Sequence, residues 1–238
     1  HEQNAIAGMT NRWLAKLARR VLTGFDRPFP GAPNAVFVGN PVRAAIGGTA
    51  APAERYAAHN GAMRLLVVGG SLGARALNQL VPAALAGLPA ERRPVVRHQA
   101  GARTMELARQ AYREHGVEAE LVEFIEDMGA AYDWADLVVC RAGALTVAEL
   151  AAAGVPALFV PFPYAVDDHQ TANARFLADA GAAVIAQERE LDADALAARL
   201  SELLADRARL VQMAQKAREK GRPEAASVVA DVCLEVAR

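Results

Sequence analysis

The chain has 238 residues, 53% of them hydrophobic and 22% charged, a balance that excludes a disordered protein and leaves room for one large α/β domain or one domain carrying parts of a second. A formal net charge of -1 provides no basic excess for nucleic acid, and no continuous apolar run is long enough to cross a bilayer. Cys140 and Cys233 stand apart, with neither metal-ligand spacing nor a disulfide framework, a usage that fits a reducing cytosol.

The chain opens on His1 with no leader segment, as expected of a piece cut from a longer protein. Residues 11–22 are patterned as an amphipathic helix, with Trp13, Leu14, Leu17 and Val21 on one side and Arg12, Lys16, Arg19 and Arg20 largely opposite. Such a helix either lies on an anionic membrane or docks its apolar side on a neighbouring domain. Residues 24–41 are rich in Pro and Gly, hold one short apolar piece at 35–38, and have the composition of a hinge.

From Arg64 onward, short apolar runs alternate with helical stretches, as in a parallel sheet covered by helices. Strands are expected at 65–68, 94–99, 120–123, 137–139, 157–160 and 182–185, and helices at 74–85, 102–115, 128–134, 147–153 and 169–179. Right-handed crossovers wind this βαβ order into a doubly wound α/β sheet. After Leu191 the chain is helical, at 192–204, at 207–220 and, past a break at Gly221 and Pro223, at 224–236, where Val228, Val229 and Val232 form an apolar seam.

Ligands of doubly wound sheets sit at the carboxyl ends of the strands, so the chemistry is sought in the loops that follow them. The first is Gly69-Gly70-Ser71-Leu72-Gly73-Ala74, whose glycines let backbone amides approach an anion and whose Ser71 adds a hydroxyl. It has neither the dinucleotide spacing nor the P-loop Lys, and a tight strand-to-helix turn of this kind also occurs without a ligand. In the second loop, Arg141 to Glu149, a glycine turn again feeds a helix. A helix starting near Ala144 offers free amides to a diphosphate and places Glu149 roughly 5 Å further along the axis, within reach of ribose hydroxyls. Alternatively Glu149 is a first-turn acid that favours the helix dipole. In the third loop Asp167, Asp168, His169 and Gln170 cluster where a helix should begin. Asp168 suits a helix cap and His169 a solvated first turn, whereas the Gln170 amide, donor and acceptor at once, suits sugar hydroxyls, with Asn173 one turn beyond. The adjacent pair Asp167-Asp168 lacks the spacing of an Asp-x-Asp metal motif, and no metal or cofactor is expected.

The segments HEQNAIAGMTN (1–11), VGNPVR (38–43), GGSLGARALN (69–78), EFIEDM (123–128), RAGALTVAELAAAGVPALFVPFP (141–163) and DDHQTANA (167–174) occur in an order that resembles the bacterial MurG family over nearly the whole chain. These are the UDP-N-acetylglucosamine:undecaprenyl-pyrophosphoryl-muramoyl-pentapeptide N-acetylglucosaminyltransferases of peptidoglycan synthesis. The resemblance implies a GT-B architecture of two Rossmann-like domains, with inverting transfer of GlcNAc from UDP-GlcNAc to the muramoyl C4 hydroxyl of lipid I, giving lipid II. It divides the chain into an acceptor-domain remnant and hinge (1–43), a UDP-GlcNAc-binding domain (44–221) and a last helix (222–238) that packs back on the acceptor domain. It assigns donor contacts to Asn4 and Arg43, the loop serine to Ser71, the backbone facing uracil to Ile125, and the GlcNAc hydroxyls to Gln170. The diphosphate and ribose fall to Ala144, Leu145, Thr146, Val147, Ala148 and Glu149, with Glu149 as the ribose carboxylate.

Two departures bear on the sugar contacts: Leu72 stands where many members have glutamine, and the 162–170 loop is one residue longer, with His169 before the glutamine. The family's upstream glycine-rich loop with its histidine, which serves acceptor binding and catalysis, is not in this sequence, so no catalytic residue is expected here and the isolated chain is expected to be inactive. Membrane contact, at the cytoplasmic face of the bacterial inner membrane, would run through that missing domain. Other GT-B enzymes of UDP-sugars, such as glycolipid glycosyltransferases or a UDP-GlcNAc epimerase, and a non-catalytic nucleotide-sugar module are the alternatives.

Overall fold

The structure, a computed structural model, describes residues 1–26, 29, 31–70 and 73–237, except for the side chain of Val166. Ser71 and Leu72 therefore lie outside the described residues. The N-terminal part contains α1 (Met9–Leu14), β1 (Leu22–Thr23) and β2 (Val36–Phe37), the two strands pairing in parallel, followed by α2 (Ala44–Gly47) and α3 (Pro52–Ala57). The main sheet and its helices then run β3 (Arg64–Val68), α4 (Arg75–Ala86), β4 (Val95–Gln99), α5 (Met105–Glu114), β5 (Glu120–Val122), α6 (Met128–Trp134), β6 (Leu137–Cys140), α7 (Ala144–Ala153), β7 (Ala157–Phe159), α8 (His169–Ala178) and β8 (Ala183–Ile185). Helices α9 (Ala193–Leu204), α10 (Arg207–Lys220) and α11 (Ala225–Val236) close the chain.

The six strands are all parallel, in the order β5-β4-β3-β6-β7-β8. The chain starts in the middle, winds outward through β4 and β5, then returns to lay β6 against the other side of β3. The switch point of this doubly wound sheet therefore falls between the carboxyl ends of β3 and β6, where Val68 pairs with Cys140 and a crevice must open.

Burial on both faces explains why residues 65–68 of β3 and the whole of β6 and β7 are apolar at every position rather than at alternate ones, whereas β4 and β5, toward the edge, carry polar residues such as Arg97, Gln99 and Glu120. Leu65 and Val67 point into a core shared with Leu77 and Val81 of α4, Leu200 of α9 and Leu210 of α10. Leu66 and Val68 point the other way, into a core with Tyr132 of α6, Leu150 of α7 and Leu177 of α8. Each such side chain, fully buried, contributes about 1.5–3 kcal/mol. The two layers hold the loops at the carboxyl edge on a rigid base.

The N-terminal helix ends at Leu14 rather than Leu22, and Leu22 and Thr23 are taken into a strand against Val36 and Phe37. Met9, Trp13 and Leu14 of this helix and Leu17 just after it are exposed rather than folded into the core. Lys16 instead stacks its ammonium over Trp13 at 4.2 Å. The end of α11 comes back to this region, where Arg19 donates to the Val236 carbonyl at 3.2 Å and Arg20 pairs with Glu235 at 3.7 Å.

Candidate functional site: an uncapped helix at the switch point

Helix α7 begins at Ala144, directly after a sharp turn through Ala142 and Gly143 at the end of β6. Its first internal bond runs from the Val147 amide to the Gly143 carbonyl at 3.0 Å, which leaves the amides of Ala144, Leu145 and Thr146 without an intrahelical acceptor. No side chain caps them and no acid stands in the first turn. Glu149 lies in the second turn, so it is not a first-turn acid tuned to the dipole.

The other end of the same helix is finished with cations. Arg55, a buried residue of α3, donates to the carbonyls of Ala153, at 3.0 Å, and Gly154, and Arg218 of α10 donates to the Ala152 carbonyl at 2.7 Å. Gly154 adopts φ +63° and turns the chain out of the helix, with Thr49 also donating to Ala153 at 3.3 Å. The negative end of the macrodipole is thus matched by two guanidiniums, and the positive end faces the switch-point crevice unmatched. By contrast α6, α9 and α10 are capped by Asp127, Asp192 and Asp206.

Glu149 is held from two directions. Tyr132, fully buried on α6, donates its hydroxyl to Oε2 at 3.0 Å, and Arg43 places Nη2 3.6 Å from Oε1. Burial, with the Glu149 charge beside it, pushes the Tyr132 phenol well above its ordinary range, so it stays a proton donor at neutral pH. The Cys140 thiol, at the end of β6, is likewise pushed upward by burial and is no thiolate nucleophile.

Gln170, in the first turn of α8, accepts through Oε1 from the amides of Ala142, at 3.3 Å, and Phe162, at 2.9 Å, tying the loops after β6 and β7 together. Asn173, fully buried one turn on, donates to the Ala142 carbonyl and to Asn4 Oδ1, each at 3.2 Å, and accepts from the Ala5 amide at 2.8 Å. The Asn4 amide is in turn held by Glu2 at 2.8 Å. Burial would raise the Glu2 carboxyl, but hydrogen bonds from Asn4, Asn11 and Gly8 outweigh it and lower the pKa. Asn4, Gln170 and the entry to α7 are therefore one hydrogen-bonded unit, joined through the Ala142 peptide.

Among the other expected positions, Val147 is fully buried with its amide already bonded, and Ala148 lines a narrow crevice with Phe25, Phe37 and Phe176. Leu145 is 45% exposed at the mouth of the site, and Ile125, half-buried after β5, borders the same core. Ser71 is outside the described residues, but its loop leaves β3 beside β6, with Gly70 at φ +80° and Gly73 at φ +79°. Asp168 occupies the position before α8 without capping it: Asp167 and Asp168 both take left-handed backbone, φ +53° and +50°, and the Asp168 side chain makes no cap bond. Arg141 was not singled out by sequence pattern, yet it braces the 160–163 loop through the carbonyls of Val160 and Pro161, at 3.0 and 3.2 Å, and pairs with Glu188.

A groove of about 1210 Å³ opens at the opposite edge of the sheet, where β4 and β5 begin. Its cations are occupied: Arg109 and Arg113 pair with Glu106, and Arg93 bonds the carbonyls of Leu88 and Ala86. It has none of the open amides or strand-end loops of the switch point, which is the better ligand site. Among the described residues no group of three or more His, Cys, Asp or Glu is placed to hold a metal ion, and no helix is long and apolar enough to cross a membrane.

Residues 64–229, the span that contains the sheet and α7, match the glycosyltransferase family 28 C-terminal domain. The chain belongs to this family. It is 61% identical over 238 residues to the UDP-N-acetylglucosamine--N-acetylmuramyl-(pentapeptide) pyrophosphoryl-undecaprenol N-acetylglucosamine transferase of Alkalilimnicola ehrlichii, and 57% identical over 241 residues to the protein of the same name from Ralstonia nicotianae. All of this chain is covered in both, against 66% and 65% of the relatives' own lengths. The crystal structure of Acinetobacter baumannii MurG superposes with a TM-score of 0.88 at 42% identity, covering 99% of this chain and 65% of that one. The fold is thus the C-terminal, Rossmann-like half of a GT-B glycosyltransferase.

Proposed function

We propose that this chain is the donor-binding part of an enzyme that moves N-acetylglucosamine from UDP-GlcNAc to lipid I, undecaprenyl-pyrophosphoryl-MurNAc-pentapeptide, to form lipid II in peptidoglycan synthesis. The observation that carries the reading is α7, whose carboxyl end is matched by Arg55 and Arg218 while the amides of Ala144, Leu145 and Thr146 stand open at the switch point. A nucleotide diphosphate supplies the anion that end lacks, and Glu149, in the next turn, accepts the ribose hydroxyls. Arg43 stands beside it to face the phosphates, the Ile125 backbone meets the uracil, and Asn4 and Gln170 border the sugar.

Transfer leaves UDP as the departing group, and its growing negative charge is stabilised by helix amides that are already oriented, without help from a metal. The chain spans about two thirds of its relatives, and we assign acceptor binding and deprotonation of the attacking hydroxyl to the part of those relatives outside the match. The same part would meet the membrane in which an undecaprenol acceptor is anchored, placing the enzyme peripherally at the cytoplasmic face. Titration calorimetry with UDP, UDP-GlcNAc, UDP-glucose and UDP-GalNAc tests the assignment, together with a lipid II assay. Binding led by UDP-GlcNAc, with no lipid II from the chain alone, is expected. A preference for UDP-glucose would favour a glycolipid glucosyltransferase, and turnover by the chain alone would overturn the division of labour.

A further inference from the structure

We propose that Tyr132 is a positioning residue for the donor nucleotide: its buried hydroxyl, 3.0 Å from Glu149 Oε2, fixes the plane of that carboxylate so that Oε1 is turned to the ribose. This rests on the nucleotide-sugar assignment of the site. The terminal torsion of a glutamate is broad and nearly free, so a carboxylate at the mouth of a crevice does not by itself hold one orientation. Here the two oxygens are made unequal. Oε2 faces inward to a tyrosine with no solvent exposure, and Oε1 faces Arg43, whose side chain is 57% exposed. The inner oxygen is the anchor and the outer one the working acceptor.

Tyr132 suits this task for two reasons. It sits on α6, a separate helix packed against the α7 core, so the anchor does not move with α7 itself. A phenol has a single proton to give, and with it directed at Oε2 the carboxylate cannot rotate without leaving a buried hydroxyl unpaired. A diol binds a carboxylate well only when the acceptor lone pairs lie in its plane, so orientation fixed in advance becomes preference for ribose over deoxyribose.

A buried tyrosine also needs a partner merely to be tolerated in a core, and on that alternative Tyr132→Phe would change stability without changing ligand choice. The two are separated by titrating the chain with UDP and with 2′,3′-dideoxy-UDP. The parent should prefer UDP by roughly tenfold or more, and Tyr132→Phe should cut that preference about fivefold while leaving the dideoxy affinity within about twofold. In a Glu149→Ala background the same change should have no further effect on the preference. Replacing Tyr132 by 4-aminophenylalanine, which can still donate, should restore the parental ratio and covers the case in which the phenylalanine variant is too unstable to titrate. An unaltered ratio in Tyr132→Phe, or failure of the donor analogue to restore it, overturns the positioning role. A parent that binds UDP but ignores the ribose hydroxyls overturns it too, and a parent that binds no UDP brings down the nucleotide assignment as well.

Discussion

Arg43 and Glu149 face each other across the joint between the N-terminal segment and the sheet, with 3.6 Å between Nη2 and Oε1. Arg43 is 57% exposed in its side chain, so the pair adds little to folding. We expect Arg43→Ala to change the unfolding free energy by less than about 0.5 kcal/mol. UDP affinity should fall and become less sensitive to salt, because a cation that screens readily has been taken from the phosphates. Calorimetry at two ionic strengths checks this; an unchanged salt dependence would remove Arg43 from the phosphate site.

Glu149→Ala should act twice. It removes the acceptor from the ribose, costing about 1–3 kcal/mol of UDP affinity, and it strands the Tyr132 hydroxyl in the core. A stability loss of about 1–3 kcal/mol is expected in urea unfolding, part of which Tyr132→Phe should recover by removing the unpaired hydroxyl. Were binding unaffected while stability falls, Glu149 would be a core partner and the ribose would lie elsewhere.

Gly73 closes the turn after β3 at φ +79°, and a Cβ there would sit 1.9 Å from Thr104 Oγ1 and 2.4 Å from the Ala100 carbonyl. Neither obstacle can withdraw easily, since Thr104 itself donates to the Ala100 carbonyl at 2.6 Å. Gly73→Ala combines a left-handed backbone with this overlap, and a loss of at least about 2 kcal/mol in stability is expected, with weaker UDP binding. A protein of parental melting temperature would show that the loop has another conformation to offer.

The sheet was legible in the sequence because both faces of its strands are covered, and a continuous apolar run such as Leu65 to Val68 leaves little choice. α6 and α10 fall at the residues expected, and α7 differs mainly at its start, where Ala144 to Thr146 extend it toward the crevice. The N-terminal region was harder. Leu22 and Thr23 continue a helical pattern, and only their partners Val36 and Phe37, distant in sequence, make them a strand. The short helices α2 and α3 lack the long period that would signal them in the sequence, although Pro52 opens α3. In the site, spacing located Glu149 on its helix, but the role of Tyr132 had no local signal, because it depends on how two helices meet. Arg55 and Arg218 are hidden for the same reason.

His98 in β4 is fully buried, takes one hydrogen bond from or to Tyr112 at 3.0 Å through Nδ1, and has no partner for Nε2. Burial pushes its pKa down from 6.5 to about 3, so it is neutral in the folded chain throughout the ordinary range. The unfolded chain, with an unperturbed histidine, takes up a proton below about pH 6.5, and from there the unfolded state binds more protons than the folded one. The contribution of His98 to stability is thus fully present above pH 6.5 and is lost as pH falls toward about 3. The slope from this one group approaches about 1.4 kcal/mol per pH unit. Urea unfolding at pH 7 and pH 5 should show a larger loss in the parent than in His98→Gln, which cannot titrate. Equal losses in the two proteins would mean that His98 is already open to protons in the folded state, and that the β4 side of the core is looser than its packing implies.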